Sequence, residues 1–343
     1  MNEKDISNCS ALALISGGLD SQLAAKVVSE QGVEVVGANF HTGFSSEGDR
    51  KLFSKIEEDT GIDIRFLSVD EEEYLKIIKD PEHGYGSAMN PCLDCRILVL
   101  SEARKYMEEI GADFVVTGEV LGQRPMTQRK GTLDLIKRES GLGERLLRPL
   151  SAELMDPTVP EEEGCVNRDD LLDISGRSRK RQLKLAEEYG LNNYSQPAGG
   201  CLLTEEEFGH RIQELFDHKG REESTLKDLK LLKHGRHFRL PDGSKAIIGR
   251  NEEENEELQE FLNESYWRLE LESIPGPLTL VTGNPTEKDF TLAARLTARY
   301  SQGRDKEEVE VVLEKGDQEK RCRVEPLDPD AGLIENLRIE TRK

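Results

Sequence analysis

ALALISGGLDS occupies residues 11–21. Its first five residues are apolar without a break, the pattern of a short strand buried on both faces. The run stops at Ser16-Gly17-Gly18, and a helical period then begins, with Leu19, Leu23, Ala24, Val27 and Val28 on one face. Such a strand–loop–helix unit suits an anion. Glycines let the backbone come close, and loop and helix-start N–H groups can converge on phosphate oxygens. Ser16 and Ser21 add hydroxyl donors. Asp20 repels bare phosphate and is better suited to hold Mg2+ on a pyrophosphate. The plainer reading is a strand-to-helix turn capped by Ser or Asp.

Working outward, residues 33–40 (VEVVGANF), 62–69 (IDIRFLSV) and 112–117 (ADFVVT) read as further buried strands. Residues 52–60 and 98–110 read as helices, the second stopped by Gly111. Alternating strands and helices predict an α/β fold, a Rossmann-like parallel sheet covered on both faces. Residues 131–160 read as a loop with a helical insert, 179–189 as a helix closed by Gly190, and 196–203 (QPAGGCLL) as a tight glycine-rich segment. The first domain is placed at 1–205. From residue 225 the pattern changes: strands at 237–240 and 245–249 flank the turn Pro241-Asp242-Gly243. A glutamate-rich helix (252–263), a strand (278–282), a helix (289–300) and a strand (308–313) follow. Residues 206–343 therefore form a smaller α+β module.

The chain has 343 residues, 36% of them hydrophobic and 34% charged, with a formal net charge of −21. That charge argues against unspecific adhesion to nucleic acid or an anionic membrane, while leaving room for RNA docking on local basic patches. The N-terminus lacks the pattern of a secretion signal, and no apolar run is long enough to span a membrane, so a cytoplasmic location is expected. There the six cysteines are expected to be reduced. Cys92 and Cys95 stand in Asn90-Pro91-Cys92-Leu93-Asp94-Cys95-Arg96 before a helix, and Cys201 follows Ala198-Gly199-Gly200. A C-x-x-C at a helix N-terminus favours thiolates, which a metal, an iron–sulfur cluster or a sulfur-transfer step all require. Cys9, Cys165 and Cys322 have no motif context and read as structural or incidental. Cys165 is the only spare thiol near enough in sequence to complete a zinc site.

The hexapeptide at 16–21 resembles the SGGxDS signature of the PP-loop ATP pyrophosphatases, which split ATP into AMP and pyrophosphate. A Gly-Lys-Ser/Thr phosphate loop is not found in the chain. The resemblance implies an adenine nucleotide alpha hydrolase-like fold, with ATP held by Ser16, Gly17, Gly18, Asp20 and Ser21. It implies adenine at the backbone of Asn39 and Phe40, and a nucleotide contact at Gly118 of Thr117-Gly118-Glu119. Many relatives have His where this chain has Glu119, which leaves that residue's role open. The cysteine layout resembles the sulfur-inserting branch, the tRNA thiouridylases, as does Arg148-Pro149-Leu150. In that branch three cysteines hold a [4Fe–4S] cluster with one iron open, which here implies Cys92, Cys95 and Cys201 as ligands and sulfur carriers. Zinc, a metal-free persulfide pair and three unrelated buried cysteines stand as alternatives. Asp94 is implied as catalytic only by its neighbourhood. Arg96 either pairs with the cluster's charge or simply begins a helix.

Basic residues at 124, 129–130, 137–138 and 177–181 stand out in an acidic chain as candidate phosphate-backbone contacts, against the alternative of a solvated face. His237-Phe238-Arg239-Leu240, Ile248-Gly249-Arg250-Asn251, Asn255, Leu258, Ala293-Ala294-Arg295 and Ala298-Arg299-Tyr300-Ser301 resemble the RNA-binding module of the NFACT proteins; the alternative is a packing or dimerisation domain. Together these resemblances imply a uridine carbonyl activated as its adenylate and attacked by sulfur. The partners implied are tRNA and a sulfur donor, either sulfide or a persulfide carrier protein. A homodimer is compatible with the sequence. Two rivals are a PP-loop ligase or sulfur inserter acting on a small molecule, and an RNA-binding protein with a vestigial nucleotide fold.

Overall fold

The computed structural model describes residues 9–45, 50–195, 200–328 and 332–339. The chain divides into two units, Met1–Thr204 and Glu205–Lys343. Residues 196–199 of the predicted glycine-rich segment, Ala198 and Gly199 among them, lie outside the described residues.

The first unit runs β1 (Ser10–Leu14), α1 (Leu19–Ser29), β2 (Glu34–His41), α2 (Arg50–Thr60), β3 (Ile64–Ser68), α3 (Glu71–Lys79), α4 (Cys92–Ile110), β4 (Phe114–Val116), α5 (Lys130–Glu139), β5 (Leu146–Leu147), α6 (Val159–Glu162) and α7 (Lys180–Tyr189). Its five strands pair in parallel in the order β3-β2-β1-β4-β5. Two-sided burial explains the unbroken apolar run of β1. Ala11, Ala13 and Ile15 join Leu19, Leu23 and Val27 of α1 on one face, while Leu12 and Leu14 join Leu100, Ala103 and Met107 of α4 on the other. Strand order reverses at β1, so a crevice opens beyond the carboxyl ends of β1 and β4, where such sheets bind ligands.

The second unit runs α8 (Glu206–Lys219), α9 (Leu226–Leu231), β6 (Arg236–Arg239), β7 (Lys245–Ile248), α10 (Glu252–Phe261), β8 (Trp267–Leu271), β9 (Thr279–Thr282), α11 (Glu287–Arg299), β10 (Val309–Lys315), β11 (Gln318–Val324) and α12 (Leu333–Leu337). Its strands form an antiparallel sheet, order β11-β10-β8-β9-β7-β6. Phe290, Ala293, Ala294 and Leu296 of α11 share a core with Phe238, Ile248, Leu269, Val281 and Val311 of the sheet.

Two sequence expectations are corrected here. The helix predicted at 98–110 begins at Cys92, so Cys92 and Cys95 lie on its first turn rather than ahead of it. Cys9 and Cys165, both buried, form a disulfide with Cα atoms 5.6 Å apart. They are neither reduced nor incidental, and Cys165 is not a fourth zinc ligand. Among the described residues no helix is long and apolar enough to cross a membrane.

Candidate nucleotide and cysteine site

The loop after β1 is held by its own serines. Ser21 Oγ accepts from Ser16 N–H at 3.2 Å and donates to the Gly18 carbonyl at 2.8 Å. Gly17 has φ +82°, the left-handed region that favours glycine. The N-cap of α1 is Gly18, which offers no side-chain acceptor to the first-turn N–H groups. A loop that leaves helix-start donors uncapped beside two hydroxyls can receive an anion. Asp20 lies in this first turn. Its Oδ2 accepts from Gln123 Nε2 at 2.7 Å, and Gln182 Nε2 holds Gln123 Oε1 at 3.3 Å. Asp20 Oδ1 is buried without a hydrogen-bond partner. A single unsatisfied carboxylate oxygen, oriented by an amide, is a fitting ligand for a hard cation such as Mg2+.

The neighbouring strand ends complete the crevice. Asn39 Nδ2 donates to the Ile15 carbonyl at 2.7 Å, tying the end of β2 to the start of the loop. Pairing of β1 with β2 ends at Ala38, whereas β2 continues to His41 along β3, so Asn39 and Phe40 keep one backbone edge beyond β1. Gly118 follows β4 closely packed on the loop. A Cβ there would lie 2.5 Å from the carbonyl carbon and oxygen of Asp20 and from the Ser21 nitrogen. Only glycine fits. Gly118 is thus a close-approach position that sets the distance between β4 and the loop.

The next residue, Glu119, receives the role the sequence left open. Its side chain is buried; Oε1 accepts from Arg96 Nε at 2.8 Å and Oε2 from Arg148 Nε at 2.8 Å. Burial pushes this carboxyl up, but the guanidiniums of Arg96 and Arg148 overcome it and hold the pKa at about 2, below the ordinary 4.5. Arg96 therefore does more than open a helix: it ties α4 to Glu119.

The thiols of Cys92, Cys95 and Cys201 are not disulfide-bonded. Asn90 Nδ2 donates to Cys92 Sγ at 3.0 Å, and Cys95 Sγ lies 4.0 Å from the Tyr74 hydroxyl. Cys201 is anchored by a bridge to Ser45 and by the Leu202 N–H to Phe44 carbonyl bond of 2.9 Å, and the Phe44 ring packs against that of Tyr74. Burial pushes the Cys95 thiol up to about 12; the sulfurs of Cys201 and Cys92 add to the rise, while Tyr74 and Arg96 oppose it. Three sulfurs from two distant segments therefore share one electrostatic neighbourhood. Among the described residues no three His, Cys, Asp or Glu side chains close on a single-ion site. The Asp94 oxygens accept from the Glu82 and His83 N–H groups at 3.0 and 3.2 Å and meet His83 Nδ1 at 3.2 Å. They fix the turn before α4. Sequence reasoning gave Tyr74, Asn90 and Gln123 no role here, although Asn90 stands in the Asn90-Pro91-Cys92 stretch and Gln123 beside the basic Arg124.

The basic stretches fare unevenly. Lys137, Arg138 and Arg181 are drawn into ion pairs with Glu144, Glu139 and Asp173. A bridge between Leu121 and Ser175 brings the segments carrying exposed Arg124, Arg129, Lys130, Arg177 and Lys180 side by side. In the second unit His237 and Phe238 are core residues. Burial depresses His237, and its neutral ring donates Nε2–H to the His234 carbonyl at 2.8 Å. The Arg236 guanidinium stacks 4.6 Å over the Tyr300 ring, within electrostatic reach of Arg250 and Arg338.

A parallel sheet in the order 3-2-1-4-5, with an uncapped glycine loop after its first strand, defines the first unit as a Rossmann-like α/β fold. Residues 7–152 match the family described as thiamine biosynthesis protein (ThiI), and residues 235–333 match the NFACT protein RNA binding domain. A probable tRNA sulfurtransferase of Thermococcus kodakarensis is 32% identical over 171 residues, covering 44% of this chain and 43% of that protein. A tRNA-specific 2-thiouridylase MnmA of Campylobacter fetus is 32% identical over 114 residues, covering 31% and 33%. The chain thus spans less than half the length of either relative. A U34-tRNA thiolase NcsA of Methanococcus maripaludis, solved with its [4Fe-4S] cluster, aligns at 16% identity over 67% of this chain and 71% of that one, with a TM-score of 0.35.

Proposed function

We propose that the protein is an ATP-dependent tRNA uridine thiolase. The observation that carries this reading is the joining of two half-sites. The strand end that abuts the phosphate loop at Gly118 is bonded, one residue on, to the helix that bears Cys92 and Cys95. Loop and helix-start N–H groups, with Ser16 and Ser21, bind the ATP phosphates and stabilise pyrophosphate as charge develops on it. Asp20, oriented by Gln123, would hold Mg2+ and screen that charge. The uridine carbonyl oxygen attacks the α-phosphorus and pyrophosphate leaves. Sulfur then attacks the activated carbon, and AMP departs with the former carbonyl oxygen.

Cys92, Cys95 and Cys201 would together supply an all-sulfur donor set, the ligand chemistry that suits an iron–sulfur cluster. They would hold a [4Fe–4S] cluster with one iron open, which supplies a transferable sulfide when bound. Asn90 and Tyr74 steady the sulfurs, and Asp94 steadies the turn that presents them. For RNA, the exposed cations brought together near residues 121 and 175 suit phosphates, and Arg236, Arg250 and Arg338 about Tyr300 suit a stacked base.

The test is anaerobic purification, with visible absorption and iron and sulfide content read beside the Cys92→Ala/Cys95→Ala/Cys201→Ala variant, followed by tRNA-dependent AMP release. A visible band lost in the variant, with AMP release only when tRNA is present, supports the reading. Iron-free, colourless protein that still thiolates tRNA would move the chemistry to a persulfide pair. ATP cleavage that ignores tRNA would favour a small-molecule substrate.

A further inference from the structure

The geometry points to Glu119 as a positioning residue that fastens the cysteine turn of α4 to the nucleotide strand, so that occupancy of one half-site is felt at the other. This rests on the function proposed above. The link has no slack at either end. On the nucleotide side, Gly118 lies against the Asp20 and Ser21 backbone with no room for a Cβ. On the cysteine side, Arg96 directly follows Cys95 on the first turn of α4 and reaches Glu119 Oε1 at 2.8 Å. Arg148 closes the other oxygen at 2.8 Å and donates Nη2 to the Leu133 carbonyl at 3.2 Å, which fixes α5 to the same point.

Stability alone gives a poor account of this arrangement. A buried carboxylate with two guanidiniums is often matched or bettered by apolar side chains of equal volume. Arg96 is 28% exposed along its side chain, so water could satisfy it without Glu119. What its bond to Glu119 adds is a fixed relation between two elements that meet the two substrates of the proposed reaction. A misplacement of about 1 Å between reacting groups costs about 100-fold in rate.

Arg96→Gln cuts only this tie and leaves the Glu119–Arg148 pair, so the fold is kept; Glu119→Gln weakens both bonds; Arg96→Lys retains the charge and should restore part of the effect. The full chain, reduced and stripped of metal with a chelator that is then removed, is alkylated with and without ATP and Mg2+, and peptides bearing Cys92 and Cys95 are quantified by mass spectrometry. The wild type should show an ATP-dependent change in alkylation rate. Arg96→Gln should lose that change while its ATP affinity and melting temperature stay near the wild type. In turnover, an adenylate that sulfur reaches about 100-fold more slowly is open to water, which expels AMP and restores the uridine, so AMP released per sulfur incorporated should rise in Arg96→Gln, whereas a merely structural defect would lower both products in proportion. The proposal is overturned if ATP leaves wild-type alkylation unchanged, if Arg96→Gln responds to ATP as the wild type does, or if the product ratio is constant. A wild type that binds ATP yet never thiolates tRNA would instead sink the proposed function, and the alkylation result would still decide for or against Glu119.

Discussion

Replacing Gly118 with alanine tests how tightly β4 is seated on the phosphate loop. The added Cβ would lie 2.5 Å from three backbone atoms of Asp20 and Ser21, where ordinary contact begins at 3.4 Å. Relief therefore needs about 0.9 Å of separation, and because the obstructing atoms are backbone, no side chain can turn aside. Overpacking of this kind costs about 1–3 kcal/mol. At about 2–4 °C per kcal/mol for a unit of this size, a cost near 2 kcal/mol lowers the melting temperature by about 4–8 °C. The functional loss is larger, because the shift falls on the loop itself; a displacement near 1 Å costs about 100-fold in rate. Isothermal titration with ATP and tRNA-dependent AMP formation measure it, with Gly131→Ala as the control. No atom lies within 4 Å of a Cβ at Gly131, which sits in the first turn of α5, so alanine there should be neutral or slightly stabilising. Gly118→Ala with wild-type melting and wild-type ATP affinity would refute the packing argument.

Gln123→Leu should raise the Mg2+ concentration for half-maximal AMP formation by about 10–100-fold, because Asp20 loses the amide that orients it; an unchanged Mg2+ titration would remove Gln123 from the site. Glu119 has a depressed pKa, so its stabilisation is complete above the unfolded value of 4.5 and is lost as pH falls through about 2. Acid unfolding of the wild type should show this loss between those values, and Glu119→Gln should be flatter across the same window; identical acid profiles would show that the carboxylate is not the source. Non-reducing peptide mapping should find Cys9 linked to Cys165, with reduction lowering the melting temperature. Recovery of both as unmodified thiols from protein purified without reductant would contradict the pairing.

The parallel sheet was legible because burial on both faces turns its strands into apolar runs that need no partner to be recognised. The loop was legible for the same reason that it works: two glycines and two serines between a strand and a helix have few other uses. Elements whose stability comes from their surroundings were not. The β11 sequence QEKRCRV is nearly all exposed, and its charges suit a sheet edge rather than a core. The first turn of α4 was missed because Asp94 serves the turn at residues 82–83, so its polarity masks the helical period. The Cys9–Cys165 bond joins residues 156 apart, and neither carries a motif. Gln123 and Tyr74 are ordinary residues whose meaning is positional, since each matters only through the atom it reaches across the fold.

The charge of the chain sharpens what the site must do. At −21, the field of the protein opposes the approach of the two polyanions of the proposed reaction, ATP and tRNA. Long-range steering cannot supply the encounter, so affinity has to come from contacts shorter than the roughly 8 Å screening length in physiological salt. The phosphate loop meets this with neutral donors: backbone N–H groups and two serine hydroxyls add no charge to be screened, and the single carboxylate, Asp20, keeps one oxygen unsatisfied. That arrangement favours a nucleotide arriving with its cation over a bare one, because the cation turns the only repulsive group in the loop into a ligand. Cations also gather locally, at the paired segments near residues 121 and 175 of the first unit and around Tyr300 of the second. An acidic chain with cations gathered at such points should reject nonspecific nucleic acid, and the tRNA of the proposed reaction should be retained only through phosphates that meet several cations of one point together.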